Sequence, residues 1–334
     1  MNLTKLGVAA LALATTSTLA FAQARDTIQI AGSSTVFPFA SIVAEEFGNA
    51  FPAFNTPVVG SGGTGGGFRQ FCEGVGAGFI DIANASRKMR PAEIAACNTA
   101  GISQIIEIQF GYDGIVFATS TSQGDFALTP VHVFKALAAQ VPVDGVWVAN
   151  PYTTWNQIDP TLPNQEITLV IPGTNHGTRE VFQDRVVGEG CREAGGAEAQ
   201  CTTFRADGRV IEIAGDYTET LARLQSTPTA VGVFGLSFYE ENRDTLKVAT
   251  VNGVIPSLDT VADGTYPVSR PLFFYVKGEH IGVIPGIEEY VRYFLSDEMT
   301  GLGGILQDAG LIPQPDDVRA AALANLETRV YVTP

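Results

Sequence analysis

The chain has 334 residues, enough for about two domains and a sizeable core. Hydrophobic residues make up 45 % and charged residues 16 %, which excludes an intrinsically disordered chain. Asp and Glu outnumber Lys and Arg 35 to 20, a formal charge of −15, which argues against nucleic acid and anionic membranes as partners.

The N-terminus has the pattern of a cleavable export signal. Lys5 supplies the positive start and Gly7 to Ala14 an apolar stretch. Ala20-Phe21-Ala22 is an A-x-A site, which places cleavage after Ala22. The stretch from Gly7 to Ala22 is shorter than the ~20 apolar residues of a membrane span and is broken by threonines.

In chain order, Thr27 to Ile30 reads as a short strand. Gly32-Ser33-Ser34-Thr35-Val36-Phe37-Pro38 follows, then Phe39, Ile42, Val43, Phe47 and Ala50 fall at helical spacing. Pro38 suits a first helical turn, and Ser34 or Thr35 a cap. A second unit runs from Val58-Val59 through Gly60 to Gly67 into a short helix marked by Phe68, Phe71, Cys72 and Val75. A third strand is expected at Phe79 to Ala83, leading to Asn84-Ala85-Ser86-Arg87, with a helix from Ala92 to Asn98 after Pro91. Ile105 to Ile108 and Ile115 to Ala118 read as two further strands, and Phe126 to Val148 as helix and strand about a turn at Pro142. Ile167 to Ile171 is a strand, Pro172 to Arg179 its turn, and Val181, Phe182 and Val186 share a helical face. Ile287 to Leu295 and Leu302 to Ala309 read as helices. Strands alternate with helices throughout, which predicts an α/β architecture. Gly111 and Thr265-Tyr266-Pro267 are candidate crossovers between two lobes.

Export fixes the redox context. Cys72, Cys97, Cys191 and Cys201 allow three pairings, and the two sequence-local ones, 72 with 97 and 191 with 201, are expected. Their spacing fits neither a CxxC redox motif nor a zinc site, and three histidines leave little material for a His-built metal centre.

The recurring chemistry is a strand that ends in a Ser/Thr/Gly turn and enters a helix. Backbone N–H groups at a helix start point outward and favour negative charge; hydroxyls add donors, and glycines admit close approach. Several such ends converging would hold an oxyanion mostly with neutral donors. Each turn also has a plain structural account: Ser34, Thr35 and Thr178 as caps, and Gly60 to Gly67 as a loop. Arg87 and Arg179 follow Ser86 and Thr178 and are candidate counter-charges; alternatively they pair with Glu180 or another acid. Gly60-x-Gly62-x-x-Gly65 matches a dinucleotide fingerprint only by letters, and Phe68-Arg69 stands where a P-loop needs Lys-Ser/Thr. No Gly-x-Ser-x-Gly or HExxH motif occurs, and His132, His176 and His280 are scattered. Asp81 and Asp113 lie beside apolar runs, where each reads as a turn cap or, alternatively, as an acceptor that supports a ligand-binding side chain.

Four motifs in order, Gly32 to Pro38, Gly62 to Phe68, Asp81 to Arg87, and His176-Gly177-Thr178-Arg179-Glu180, resemble the phosphate-binding proteins of ABC-type phosphate transporters. Tyr112-Asp113-Gly114 and Val231 to Gly235 resemble that family's framework. The resemblance implies a two-lobed α/β periplasmic binding fold of type II topology. Residues 1–22 would be the signal peptide, 23–113 and 269–334 lobe 1, and 114–268 lobe 2. It implies capture of inorganic phosphate in the interlobe cleft, without catalysis, metal or cofactor. Delivery would be to the permease and ATPase of an ABC importer, by a periplasmic monomer. The implied ligand shell is Ser34, Thr35 and the Val36 amide; Thr64 and the Gly65 amide; Ser86 and Arg87; and His176, Gly177, Thr178 and Arg179. His176 stands where many relatives have serine, Ser86 where some have a proton-accepting aspartate, and Pro172 where some have an arginine. The alternatives are a receptor for sulfate, tungstate or another tetrahedral oxyanion, and a secreted phosphatase, which lacks a nucleophile–base pair here.

Overall fold

The computed structural model describes residues 25–173, 177–197, 200–214 and 217–333. The signal-peptide pattern and His176 lie outside them.

The first third alternates strictly: β1 (Gln29–Gly32), α1 (Phe37–Ala50), β2 (Val58–Ser61), α2 (Thr64–Phe71), β3 (Ile82–Ala85) and α3 (Pro91–Thr99). The long β4 (Ile105–Ser120) leads into the middle segment. There β5 (Ala127–Leu128), α4 (Pro130–Leu137), β6 (Gln140–Val143), β7 (Val146–Ala149), α5 (Trp155–Ile158) and β8 (Leu169–Pro172) follow. Next come α6 (Gly177–Val181), a π-helix (Phe182–Gly188), α7 (Glu189–Glu193), β9 (Val210–Ile213), α8 (Tyr217–Ser226) and β10 (Val231–Gly235). α9 (Leu236–Glu241), β11 (Leu246–Val248), β12 (Thr250–Val251) and α10 (Leu258–Ala262) close the segment. β13 (Ser269–Lys277) and α11 (Ile287–Phe294) begin the C-terminal part.

The main sheet runs β2-β1-β3-β13-β4-β10-β8-β9, with β11 beside β4. β1 is parallel to β2 and β3, and β8 is parallel to β9 and β10. β4 joins the two halves. Its first part pairs antiparallel with β13 and its last part with β10 and β11.

Side chains alternate across the first half-sheet, and both faces are covered. Ile106, Phe274 and Val276 pack with Phe39, Phe47 and Val291 on one face. Ile105, Phe273 and Tyr275 pack with Phe68, Phe71 and Ala83 on the other. This period of two is what a strand buried on both sides requires. The middle segment builds a separate core around Val116, Phe134, Trp155, Val170, Phe182 and Phe234.

Several boundaries differ from expectation, each for a specific physical reason. Residues 105–108 and 115–118 belong to one strand, β4. Its polar centre looked like a break, but Tyr112 exchanges hydrogen bonds with Ile312 (2.8 and 2.9 Å), and a Cβ on Gly111 would meet Leu311 at 2.8 Å. The turn in the 126–148 region is Asp144-Gly145, with φ of 51° and 79°; Pro142 lies within β6. α2 begins inside the glycine run, because Gly67 packs on Gly32 with room for no Cβ (2.5 Å). β3 starts at Ile82 rather than Phe79. Asp81 just before it is buried, and its carboxylate accepts from Arg25 Nη2 (2.6 Å), the Gln29 N–H (2.7 Å) and His280 Nδ1 (2.6 Å). His280 Nε2 accepts from the Gly76 N–H (2.9 Å), so its proton is on Nδ1 and this histidine is a framework residue. Of residues 302–309, only Ile305–Asp308 is helical; Gly303 (φ 77°) turns the chain ahead of it.

Cys72–Cys97 and Cys191–Cys201 are disulfides, as the spacing predicts. Among the described residues no helix is long and apolar enough to cross a membrane.

Candidate functional site

A cleft of about 540 Å³ opens between the two halves. Thr64, Gly65, Ser86 and Arg87 line one wall, Glu180, Gln183, Asp184 and Gly188 the other, and Arg270 reaches it from β13.

The first wall is made by strand ends. β1 stops at Gly32, and Ser33 to Val36 turns into α1. Ser33 is buried and fastened: its N–H donates to the Asn84 carbonyl (2.9 Å), and its hydroxyl accepts from the Val36 N–H (3.4 Å). The Val36 amide is therefore used inside the turn. The next two hydroxyls face the opposite wall. Ser34 Oγ donates to Glu180 Oε2 (2.8 Å), and Thr35 Oγ1 is hydrogen-bonded to the same oxygen. Thr35 Oγ1 also accepts from Arg270 Nη2 (2.6 Å). Thr64, the first residue of α2, accepts from the Ser86 N–H (3.1 Å) and pairs with its hydroxyl (3.1 Å), so the ends of β2 and β3 are locked together.

Arg270 is a buried charge on the cleft. It is 5 % exposed, and Asp113 Oδ2 (3.7 Å), Glu180 Oε2 (3.7 Å) and Asp184 Oδ2 (3.5 Å) surround its guanidinium. Its Nε is buried without a partner among the described residues. Burial pushes the Asp113 carboxyl up to about 6 against the pull of Arg270, and Glu180 adds to the rise. Asp113 is thus a partner of a buried arginine, not a turn cap.

The two arginines singled out by sequence are placed differently. Arg87 lines the cleft, stacked over Phe68 (5.4 Å), but its guanidinium is held by Glu93 through two bonds of 2.8 Å. That pairing raises the Arg87 pKa and lowers that of Glu93. Arg179 does not line the cleft. It is buried in the second half, donates to the Pro172 carbonyl (2.6 Å), pairs with Glu212 (2.9 Å) and lies over Phe204 (5.3 Å). Gln183, with its amide oxygen turned inward, accepts from Arg179 Nη2 and Nε (3.2 and 3.1 Å). The carbonyl, the carboxylate and the amide engage the whole guanidinium fork, so Arg179 braces the second wall. Gly177 and Thr178 open α6, and Thr178 Oγ1 accepts from Tyr217 (2.8 Å), whose pKa burial drives up.

Sequence reasoning missed Arg270 and the wall of Glu180, Gln183 and Asp184. The wall spans two elements: Glu180 lies in α6, and Gln183, Asp184 and Gly188 lie in the π-helix that follows it. Arg270 left one signal: a lone Arg between Ser269 and Pro271 at the start of an apolar run.

The family described as PBP superfamily domain matches residues 18–298. The chain is 31 % identical over 297 residues to Protein SphX of Synechococcus elongatus, covering 87 % of this chain and 78 % of that one. It is 28 % identical over 294 residues to Phosphate-binding protein PstS of Staphylococcus saprophyticus, covering 85 % and 79 %. A solved structure of a possible phosphate binding protein from Planctomyces limnophilus superposes with a TM-score of 0.71 at 26 % identity, covering 91 % and 98 %. PstS from Borrelia burgdorferi, at 18 % identity and a TM-score of 0.58 over 92 % and 99 %, shares the fold.

Proposed function

The chain belongs to the PBP superfamily, among its PstS-like phosphate-binding proteins, and on that premise we propose that it captures inorganic phosphate between its two halves. It would then hand the ligand to the permease and ATPase of an ABC importer. The observation that carries this reading is that the buried residues Thr64, Ser86 and Arg270 line one cleft, with the buried Thr35 hydroxyl bonded to the Arg270 guanidinium. Such donors replace the hydration shell of an oxyanion, and among the described residues the Arg270 Nε has no partner.

The proposed shell is Ser34, Thr35, Thr64, Gly65 and Ser86 from the first half, Gly177 and Thr178 from the second, and Arg270 from the strand between them. Arg87 supplies positive potential with its fork already engaged by Glu93. Arg179 positions α6. The formal charge of −15 is compatible with an anionic ligand, because salt screens long-range repulsion within ~8–10 Å while buried donors act at contact.

The proposed lobes are residues 23–113 with 269–334, and 114–268. They are supported by the separate cores and by β4 and β13 passing between them. A ligand contacting both walls would shift an open–closed equilibrium toward closure through its differential affinity. The working form is a periplasmic monomer released by cleavage after Ala22. The relatives are binding proteins, and the chain is a receptor rather than an enzyme. Phosphate assayed in the supernatant after denaturing purified protein tests the reading: one equivalent per chain is expected, and none, before and after incubation with phosphate, contradicts it.

A further inference from the structure

Glu180 engages donors that the phosphate-receptor reading assigns to the oxyanion. Ser34 and Thr35 direct their hydroxyls to one oxygen, Oε2, which also faces Arg270 Nη2 at 3.7 Å. A hydroxyl carries one proton, so neither can donate to a ligand while it donates to Glu180. The contact joins elements 145 and 146 residues apart: Ser34 and Thr35 precede α1 in the first half, and Glu180 rides α6 in the second. It therefore ties the two walls together across the cleft.

We infer that Glu180 is an internal competitor for the anion seat, latching the unliganded cleft and setting how tightly it holds an oxyanion. The inference rests on the phosphate-receptor reading. For phosphate to reach the Ser34 and Thr35 hydroxyls, the Glu180 side chain must swing away. Once displaced it stays on the cleft wall, where its negative charge opposes the ligand's. Both effects weaken binding, so removing the carboxylate strengthens it. The effect follows charge, since a neutral amide of the same shape competes as a far poorer acceptor.

The test is titration calorimetry of phosphate into ligand-stripped wild type, Glu180→Gln and Glu180→Ala, with thermal melts to confirm folding. Both variants are expected to bind phosphate about tenfold more tightly, the order of one charge-assisted hydrogen bond. Hydrogen exchange without phosphate gives a second readout: amides at the start of α1 should exchange faster in Glu180→Gln than in wild type. Variants that bind phosphate as wild type does, or more weakly, would overturn the inference while leaving the receptor reading intact. A wild type that binds no phosphate removes the receptor reading itself.

Discussion

Thr35 Oγ1 lies 2.6 Å from Arg270 Nη2, joining the first turn of the chain to the strand that returns 235 residues later. Arg270 thereby holds the hydroxyl wall, and the carboxylates of Asp113, Glu180 and Asp184, around one guanidinium. Removing that charge leaves Asp113 buried without its counter-ion. Arg270→Gln is expected to cost about 3–5 kcal/mol of stability. It should also weaken phosphate by about a hundredfold or more, the worth of a buried charge-assisted contact. Arg270→Lys restores charge without the fork and should recover stability more than affinity. Urea unfolding and calorimetry on the two variants check this; unchanged phosphate affinity in Arg270→Gln would remove Arg270 from the site.

Thr64 tests the neutral donors. Its hydroxyl accepts from the buried Ser86 N–H and pairs with the Ser86 hydroxyl. Thr64→Val keeps the shape and orphans both, so a loss of about 1–3 kcal/mol is expected. Phosphate affinity should fall at least about tenfold, while Thr64→Ser stays near wild type. Equal affinities for Val and Ser would show that the Thr64 hydroxyl does not reach the ligand.

Asp113 should leave a mark on the pH dependence of stability. Burial raises its folded pKa to about 6 from an ordinary 3.8, so the folded chain binds the extra proton between those values. Its contribution is full below about pH 4 and is lost as pH rises through about 6, a swing of up to roughly 3 kcal/mol. Asp113→Asn stays neutral throughout. Its stability relative to wild type should therefore rise from pH 4 to pH 7.5 in urea titrations; parallel profiles would show that Asp113 does not titrate in this way.

The Cys72–Cys97 bridge closes a loop of sequence separation 25 that carries Ser86 and Arg87. Replacing both cysteines by alanine should cost about 3 kcal/mol through the unfolded state. The cleft walls should remain, so calorimetry is expected to show phosphate affinity within a few-fold of wild type. A large loss of affinity would mean the bridge positions the Ser86 turn.

The outline of the fold was legible because it is written in local patterns. The Phe39 to Phe47 face and the paired cysteines are each set by residues near one another in sequence or by residue type. The tertiary brackets were less legible. β4 read as two strands because Tyr112 is held by Ile312, 200 residues away, and that bracket leaves no hydrophobic trace at Gly111 to Gly114. Thr64 and Ser86, which line the cleft, stood out in the sequence because strand-end Ser/Thr/Gly turns are a local pattern. The charged side did not. Arg87 and Arg179 were the visible arginines, yet Glu93 and Glu212 engage them. Arg270 is brought in by strand pairing, and Glu180 reaches the cleft from α6, directly ahead of a π-helix that breaks the 3.6-residue period on which helical reading depends.

The most direct test of the central claim is calorimetry of phosphate and sulfate into refolded, ligand-stripped protein. One phosphate per chain with much weaker sulfate is the expected result. No phosphate heat, or sulfate bound as tightly as phosphate, would contradict it.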